Sequence, residues 1–250
     1  MEDLRLLIDL HRDSERQGPG GEAETRLGIR LAGLDPAAPL DIADIGCGNG
    51  SSALLLAQAL NAHVSAVDLV PEFVDALRDR AAREDLSDRI DAQVASMDEL
   101  PFEDEAFDVI WSEGAVYNIG FERGVNDWRR YLKPGGILAV SEITWLTERR
   151  PAALEAYWNE AYPEIDTAAG KMRVLERAAY TPVGYFVLGE HCWLDHYFRP
   201  LQGRFEAFLK RHGHSADAHA LVRAEQEEIA MYEKYRAYFS YGFYIARKTA

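Results

Sequence analysis

The stretch Asp44-Ile45-Gly46-Cys47-Gly48-Asn49-Gly50 joins the end of a short predicted strand, residues 41–45, to a helix predicted over residues 51–60. Glycine at alternate positions lets the backbone turn tightly and approach a ligand without interference from a Cβ atom. The amino end of the following helix favours polar or negative ligand groups. A second apolar run ends at Asp68, about 20 residues further on, where an acid commonly binds ribose hydroxyls. The pattern therefore predicts a strand–turn–helix unit that binds an adenosine-containing ligand.

Apolar runs and helical patterns alternate along the first 145 residues. Strands are predicted over residues 41–45, 63–67, 90–94, 107–111 and 137–143. Helices are predicted over residues 4–12, 22–33, 51–60, 71–84 and 122–132, the last of them stopped by Pro134-Gly135-Gly136. Short apolar strands separated by helices are typical of a parallel sheet that is covered on both faces. Right-handed crossovers would make this sheet doubly wound, as in Rossmann-like α/β proteins.

The last hundred residues follow another pattern. Helices are predicted over residues 152–162, 167–179 and about 218–238, and strands over residues 185–188 and 241–246. A late strand, an insertion and a terminal strand predict an antiparallel hairpin that finishes the edge of a mostly parallel sheet. The insertion, residues 192–239, would then cover the carboxyl ends of the parallel strands as a lid, where open α/β sheets bind their ligands.

We expect a single domain over residues 1–250. Its parts are N-terminal helices with a glycine-rich loop (1–40), a cofactor-binding core (41–145), and acceptor-side helices with closing strands (146–250). The glycine-rich loop, Gln17-Gly18-Pro19-Gly20-Gly21, is either an ordinary connection or a cover for the cofactor, to which Gln17 would contribute.

Composition limits the partners. Acidic residues outnumber basic ones 42 to 27, giving a formal net charge of −15. Nucleic-acid and anionic-membrane binders need clustered Lys and Arg, so neither is expected. No apolar run reaches the roughly 18 residues that span a bilayer, and the first residues lack a signal-peptide pattern. The two cysteines, Cys47 and Cys192, are far apart and form no CxxC or Cys/His zinc pattern, so we expect a thiol-reduced, cytoplasmic protein.

Two adenosine ligands fit the glycine turn, a dinucleotide and S-adenosylmethionine. The dinucleotide pattern GxGxxG requires glycine where this chain has Ser51. Asp44 beside the turn suits the ammonium group of a methionine tail, directly or through water, and would repel a pyrophosphate. The sequence therefore favours S-adenosylmethionine over NAD.

Further blocks occur in the order of the class I S-adenosylmethionine-dependent methyltransferases. After Asp68 they are Met97-Asp98, Phe107-Asp108-Val109-Ile110-Trp111 and Leu132-Lys133-Pro134-Gly135-Gly136. The chain resembles the ubiquinone/menaquinone-biosynthesis type of this family over roughly residues 22–144. Residues 111–121 and the sequence Glu190-His191-Cys192-Trp193 also resemble a bacterial group of that type. The resemblance implies a Rossmann-like fold, S-adenosyl-L-methionine as the cofactor, and methyl transfer to a small-molecule acceptor.

The resemblance also assigns roles to single residues. Gly46, Gly48 and Gly50 would contact the methionyl part, and Asp68 would bind the ribose with Leu69 beside the adenine. Asp98 would accept from the adenine amino group, with Met97 against the ring. Asp44, as the ligand of the ammonium group, and Gln17, from the glycine-rich loop, are added to this set. The predicted cofactor-binding residues are therefore Gln17, Asp44, Gly46, Gly48, Gly50, Asp68, Leu69, Met97, Asp98 and Ser112.

Methyl transfer from a sulfonium is an in-line displacement, so the enzyme must align the acceptor but needs no covalent nucleophile. A hydroxyl or acidic carbon would need a base, for which the candidates are, in order, Glu113, Tyr117 and His191. The Asn/Asp-Pro-Pro-Tyr segment of nucleobase and glutamine N-methyltransferases is replaced here by Ser112-Glu113-Gly114-Ala115. We see no carboxylate set typical of a magnesium site and expect transfer without a metal.

Two other functions stay open from the sequence. One is an NAD(P)-dependent oxidoreductase, against which Ser51 and the lack of a Tyr-x-x-x-Lys pair count. The other is a non-catalytic S-adenosylmethionine-binding protein, whose cofactor half would look identical. The acidic run Glu225-Gln226-Glu227-Glu228 is predicted to be a solvated helix face.

Overall fold

A mixed eight-stranded sheet forms the centre of the molecule in the computed structural model, which describes residues 2–249. Its strands are β1 (Leu40–Ile45), β2 (Ala62–Asp68), β3 (Ile90–Val94), β4 (Phe107–Glu113), β5 (Leu132–Trp145), β6 (Asp166–Thr167), β7 (Tyr180–Val187) and β8 (Phe239–Lys248). They lie in the order β3-β2-β1-β4-β5-β8-β7, and β6 pairs with the end of β5. Strands β1 to β5 run parallel, whereas β8 pairs antiparallel with both β5 and β7. The predicted fold class, including the antiparallel closing pair, is confirmed.

Eleven α-helices accompany the sheet within residues 2–249. They are α1 (Glu2–His11), α2 (Glu22–Ala32), α3 (Ser51–Ala59), α4 (Pro71–Arg83), α5 (Phe121–Trp128), α6 (Ala152–Ala161), α7 (Ala168–Arg177), α8 (Glu190–Trp193), α9 (Arg199–Gln202), α10 (Phe205–Arg211) and α11 (Ala216–Tyr235). Local sequence sets several of their ends. Pro71 occupies the first turn of α4, Gly33 ends α2 in the left-handed conformation, and the Ser215 hydroxyl accepts a hydrogen bond from the first turn of α11.

Alternate residues of the parallel strands point into two separate apolar layers. Ile42 of β1 packs with the residues of α2, α3 and α4 on one face, whereas Ala43 packs with those of α5 and α7 on the other. This alternation is the period of two that any strand imposes, and both faces are covered because the crossover helices lie on both. The first layer continues into α8 to α11, so the C-terminal helices share the core of the sheet.

Several helix and strand boundaries differ from the predicted ones because pairing with distant strands sets them. The predicted helix 122–132 is wrong at its end, because α5 stops at Trp128 and Leu132 already pairs with Phe107 of β4. The Pro134-Gly135-Gly136 turn therefore lies inside β5, beside an irregularity in the β4–β5 register. Strand β7 begins at Tyr180 rather than residue 185, since its first residues pair with the end of β8. Residues 194–211, for which we predict no helix, are mostly helical.

Within the described residues, no helix combines the length and the apolar character that crossing a bilayer requires.

Candidate ligand-binding cavity

A cavity of about 660 Å³ lies at the carboxyl ends of the parallel strands. One side, here the glycine-loop half, is lined by loops that follow the strands together with residues 16–19. A second set of lining residues, here the aromatic half, comprises Leu7, Ile8, His11, Tyr117, Trp193, Tyr197, Glu225, Glu228 and Tyr241. A cavity of this size accommodates a cofactor-sized ligand.

The three glycines of the turn have different neighbours. Gly46, Gly48 and Gly50 all have positive φ, at 74°, 52° and 83°. Gly46 and Gly48 line the cavity, and a Cβ on Gly48 would lie 2.2 Å from Oε1 of Gln17. Gly50 does not line it, and its Cβ would lie 2.1 Å from Cδ1 of Leu77. The predicted ligand contact of Gly50 is therefore corrected to a packing role between α3 and α4.

Asp68 occupies the end of β2 and lines the cavity, as predicted. Its Oδ2 accepts a hydrogen bond from the amide of Gly48 at 2.9 Å, and its Oδ1 accepts one from Val70 at 3.0 Å. Burial raises the pKa of this carboxyl, and the backbone donors partly offset the rise. The carboxylate therefore fixes the glycine loop in addition to facing the cavity.

Apolar side chains line the glycine-loop half next to Asp68. Leu69 exposes 66% of its surface, and it lines the cavity together with Met97 and Phe73. An apolar side chain left uncovered inside a cavity suits an apolar ligand group. Asp98 lies at the same edge, where Nη1 of Arg123 approaches its Oδ1 at 2.7 Å. Phe73, on the first turn of α4, was missed because nothing local distinguishes it from a core residue.

The N-terminal segment is hydrogen-bonded across the glycine loop. Oε1 of Gln17 accepts from the amide of Asn49 at 2.9 Å, and Gln17, Gly18 and Pro19 line the cavity. The Asn49 side-chain amide donates to the carbonyls of Arg12 and Ser14, each at 2.7 Å. The glycine-rich segment thus lies where the covering role predicts it, and Asn49 holds it there.

Two predicted cofactor ligands lie behind the cavity wall. Asp44 is fully buried, its Oδ2 accepts from Ser52 at 2.6 Å, and burial raises its pKa to about 7. Ser112 is also fully buried, and its hydroxyl donates to the carbonyl of Ile45 at 2.7 Å. Neither lines the cavity. The structure therefore does not bring Asp44 or Ser112 into direct contact with the cavity, because Asp44 is bonded to Ser52 of α3 and Ser112 to the backbone of β1.

Glu113 lines the cavity, but its oxygens are committed to the protein. Oε2 pairs with Nη1 of Arg16 at 2.8 Å, while Oε1 accepts from Thr25 at 2.6 Å and from Trp111 at 2.9 Å. A carboxylate held by three donors is suited to anchoring rather than to proton transfer. In this structure the first-ranked base candidate anchors the N-terminal segment and α2 to β4, and its role as a base stays a prediction.

His191 lies outside the cavity. Its Nε2 is 2.9 Å from Oε1 of Glu24, on α2, and its side chain is exposed. The structure therefore does not bring His191 to the cavity, and its base role stays a prediction without support from the geometry. Its helical neighbours Trp193 and Tyr197 do line the aromatic half, so part of the predicted lid covers the cavity.

The acidic run of α11 contradicts its predicted solvation. Glu225 and Glu228, three residues apart and on one helix face, both line the cavity, whereas the residues between them are exposed. Oε1 of Glu225 lies 3.4 Å from Nε2 of the buried His11. Burial and then the charge of Glu225 raise the pKa of Glu228 to about 7, and among the described residues no cation or hydrogen-bond donor offsets this rise. Sequence missed this pair because helical periodicity does not show which neighbour covers a polar face.

Tyrosines complete the aromatic half. Tyr117 exposes 41% of its surface although the surrounding protein screens it from bulk solvent, so its open side faces the cavity. Burial raises the pKa of Tyr117, Tyr197 and Tyr241. Their hydroxyls therefore stay protonated near neutral pH and are suited to donating hydrogen bonds. For Tyr117, the second-ranked base candidate, the geometry favours a donor role.

Comparison with known proteins matches the first part of the chain to a methyltransferase domain. Residues 42–136 match the family model described as a methyltransferase domain. The chain is 37% identical over 137 residues to 27-O-demethylrifamycin SV methyltransferase of Amycolatopsis mediterranei, covering 54% of this chain and 50% of that protein. It is 33% identical over 127 residues to methyltransferase GfsG of Streptomyces halstedii, covering 50% of this chain and 46% of that protein. The chain thus spans about half the length of the curated relatives it matches.

A solved structure extends the likeness of fold to nearly the whole chain. The methyltransferase of Geobacter sulfurreducens, in complex with S-adenosyl-L-homocysteine, superposes with a TM-score of 0.84 over 97% of each chain, at 16% identity. These matches confirm the predicted methyltransferase domain over residues 42–136, and the solved structure shows that the fold of nearly the whole chain is the same.

Proposed function

Because the chain carries a class I S-adenosylmethionine-dependent methyltransferase domain, we propose that it transfers a methyl group from S-adenosylmethionine to a hydroxyl of a small-molecule acceptor. The observation that carries this proposal is the division of one cavity into two halves. The glycine-loop half has the groups that suit an adenosine, and the aromatic half holds the Glu228 carboxyl, whose pKa is raised to about 7.

The residues present fit the proposed cofactor. Asp68 faces the cavity at the strand end where a ribose diol would be bound, and Leu69, Phe73 and Met97 offer apolar surface for an adenine. The backbone around Gly46 and Gly48 leaves room for a methionyl chain. When bound, S-adenosylmethionine supplies a methyl group activated by its sulfonium. The chain's part is to hold the acceptor oxygen in line with that methyl group.

A small hydroxyl-bearing acceptor is supported by two observations. The Amycolatopsis relative is named for a substrate that lacks an O-methyl group. The aromatic half offers Trp193, Tyr197 and Tyr241 as apolar walls with protonated hydroxyl donors, which suits a molecule that is largely apolar. The net charge of −15 disfavours nucleic acid as the acceptor. We place the reaction in the cytoplasm, consistent with two buried free cysteines.

Glu228 is the residue we assign as the general base. A carboxyl whose pKa lies near 7 is ionised in about half of the molecules at neutral pH, and it has the driving force to accept a proton. The hydroxyl proton would pass to the Glu228 carboxylate as the acceptor oxygen takes the methyl group and the bond from that methyl carbon to the cofactor sulfur breaks, which leaves S-adenosylhomocysteine. Tyr117 would donate a hydrogen bond to orient the acceptor. No metal is needed at the reacting atoms in this scheme.

Calorimetry and labelling test the proposal together. S-adenosylmethionine and S-adenosylhomocysteine should bind, whereas NAD and NADP should not. Labelled methyl should pass from the cofactor to a small molecule in a metabolite extract, identified by mass analysis, and not to purified tRNA, DNA or bulk protein. NAD binding without a response to S-adenosylhomocysteine would support the oxidoreductase instead. Cofactor binding without transfer to any extract component would support the non-catalytic alternative.

A further inference from the structure

Four side chains with metal-binding atoms converge between α2 and the start of the C-terminal helices. They are Glu24, His191, Cys192 and His196, and one ligand atom from each lies within 4.8 Å of all the others. None of the four lines the cavity. We propose that this cluster is a structural zinc site, separate from the site of methyl transfer.

The donor set suits zinc. Thiolate and imidazole with one carboxylate are ligands that Zn²⁺ binds tetrahedrally, at about 2.0–2.3 Å. Ligand atoms around such an ion are about 3.4 Å apart, the edge of a tetrahedron with these bond lengths. In the structure, Nε2 of His191 lies 2.9 Å from Oε1 of Glu24 and 3.5 Å from Sγ of Cys192. The four ligand atoms lie within 4.8 Å of one another, so the longest separations would close by up to about 1.4 Å on coordination, a movement that side-chain rotations can supply.

Helix geometry brings the two histidines together. His191 and His196 are five residues apart, a spacing that an ordinary α-helix turns to different faces. Residues Leu194–Phe198 form a π-helical turn, and the two imidazole rings lie with their centroids 5.2 Å apart. Such π-turns are uncommon and occur frequently at functional sites. This turn is the local irregularity that assembles the cluster.

The surrounding backbone leaves room for the ligands. A Cβ on Gly21 would lie 2.3 Å from Oε2 of Glu24 and 2.9 Å from Nδ1 of His196. That Oε2 is buried and has no hydrogen-bond partner among the described residues, so an acceptor is left available. Nδ1 of His196 lies 2.8 Å from the carbonyl oxygen of Gly20, the kind of outer contact that orients metal-binding imidazoles.

The position of the cluster indicates what the ion would do. Thr25, next to Glu24, donates to Glu113 in the cavity wall, and Trp193, next to Cys192, lines the aromatic half. An ion bound by both elements would link α2 to α8 immediately behind the cavity. Zinc would therefore stabilise the fold and hold the wall in place without touching the reacting atoms.

Metal analysis and cobalt spectroscopy of the full-length protein test the site. Zinc should remain in stoichiometric amount after dialysis, and its removal by a chelator should lower the Tm, because the ion binds only the folded state. The protein reloaded with Co²⁺ should show tetrahedral d–d absorption and a thiolate charge-transfer band. Substoichiometric zinc together with octahedral Co²⁺ spectra in the unaltered protein would overturn the proposal without any variant.

Variants assign the ligands. In Cys192→Ser the thiolate band should disappear. In His191→Gln the zinc affinity should fall more than about 100-fold, because the loss of a residue that only contacts a metal ligand already lowers metal affinity by about 10–100-fold. Cys47→Ala, the other buried cysteine, and His219→Gln are the matched controls and should retain zinc. Equal zinc retention in Cys192→Ser and its control would show that Glu24 and His191 form only an ion pair. Binding of S-adenosylhomocysteine is measured in parallel, so failure of the metal site stays distinct from failure of the methyltransferase proposal.

Discussion

The two halves of the cavity are built in opposite ways. The glycine-loop half comes from residues that directly follow parallel strands, such as Gly46, Asp68 and Met97, which one sheet edge brings together. The aromatic half comes from helices at both ends of the chain, with His11 3.4 Å from Glu225 across 214 positions. Local sequence motifs therefore predict the glycine-loop half, whereas the aromatic half forms only through long-range packing.

Asp44 and Glu228 are two buried acids that differ in their access to the cavity. Burial raises the pKa of both Asp44 and Glu228 to about 7. Asp44 lies sealed under the glycine turn, where Ser52 is its only side-chain hydrogen-bond donor, whereas Glu228 faces the cavity. A perturbed pKa alone thus does not mark a catalytic group. Access to a ligand decides whether the shifted proton affinity has a chemical use.

Glu228→Gln should have the largest effect. Loss of a general base should lower kcat by about 10²–10⁴-fold, while the affinity for S-adenosylhomocysteine stays the same. In the unaltered enzyme, kcat should fall as the pH drops through about 7, because the protonated carboxyl accepts no proton. Glu227→Gln, exposed on the same helix, is the control and should keep its activity. Full activity of Glu228→Gln would reduce the aromatic half to a shape-selecting surface.

Asp68→Asn should have the next largest effect, confined to the glycine-loop half. Loss of charge-assisted hydrogen bonds to a ribose should weaken S-adenosylhomocysteine binding by about 1.5–3 kcal/mol, roughly 10- to 150-fold. Calorimetry measures this change, with Asp75→Asn, exposed on α4, as the control. Since Asp68 also accepts from Gly48 and Val70, a moderate decrease in Tm is expected. An unchanged affinity with a lower Tm would assign Asp68 to the loop alone.

Gly50→Ala separates scaffold from ligand contact within the glycine-loop half. Its Cβ would meet Leu77 at 2.1 Å, so overpacking should lower the free energy of unfolding by about 1–3 kcal/mol beyond the backbone strain. Gly135→Ala is the matched control, because its φ of 77° is similar and no atom lies within 4 Å of its Cβ. Urea denaturation of both variants gives the difference. Equal decreases in the free energy of unfolding of the two variants would mean that α4 moves away from the added Cβ without an energetic cost.

Asp44→Asn should produce the smallest change, visible in the pH dependence of stability. A carboxyl whose pKa is raised from 3.8 to about 7 on folding contributes stability below pH 3.8, and this contribution is lost as the pH rises through 7. The Tm of the variant should therefore decline less steeply than that of the unaltered protein between about pH 5 and 8. Asp88→Asn, an exposed acid, should leave the slope unchanged. Parallel slopes for Asp44→Asn and the unaltered protein would contradict the burial argument.

The sequence by itself determined the sheet, its closing pair and the family, because hydrophobic periodicity and the turn at residues 44–50 are local properties of the chain. It also placed Gly46, Gly48, Asp68, Leu69 and Met97 at the cavity, since residues that follow parallel strands meet at one edge.

Only the tertiary structure decided which polar groups face the cavity. Asp44 is bonded to Ser52 of α3 and Ser112 to the backbone of β1. Glu113 is held by Arg16, and His191 lies against Glu24. The charged neighbours of Glu228 predict a solvated side chain, but in the structure Glu228 lines the cavity. The physical reason is that burial and charge pairing depend on which distant surfaces meet, and helical or strand periodicity records only that a face exists.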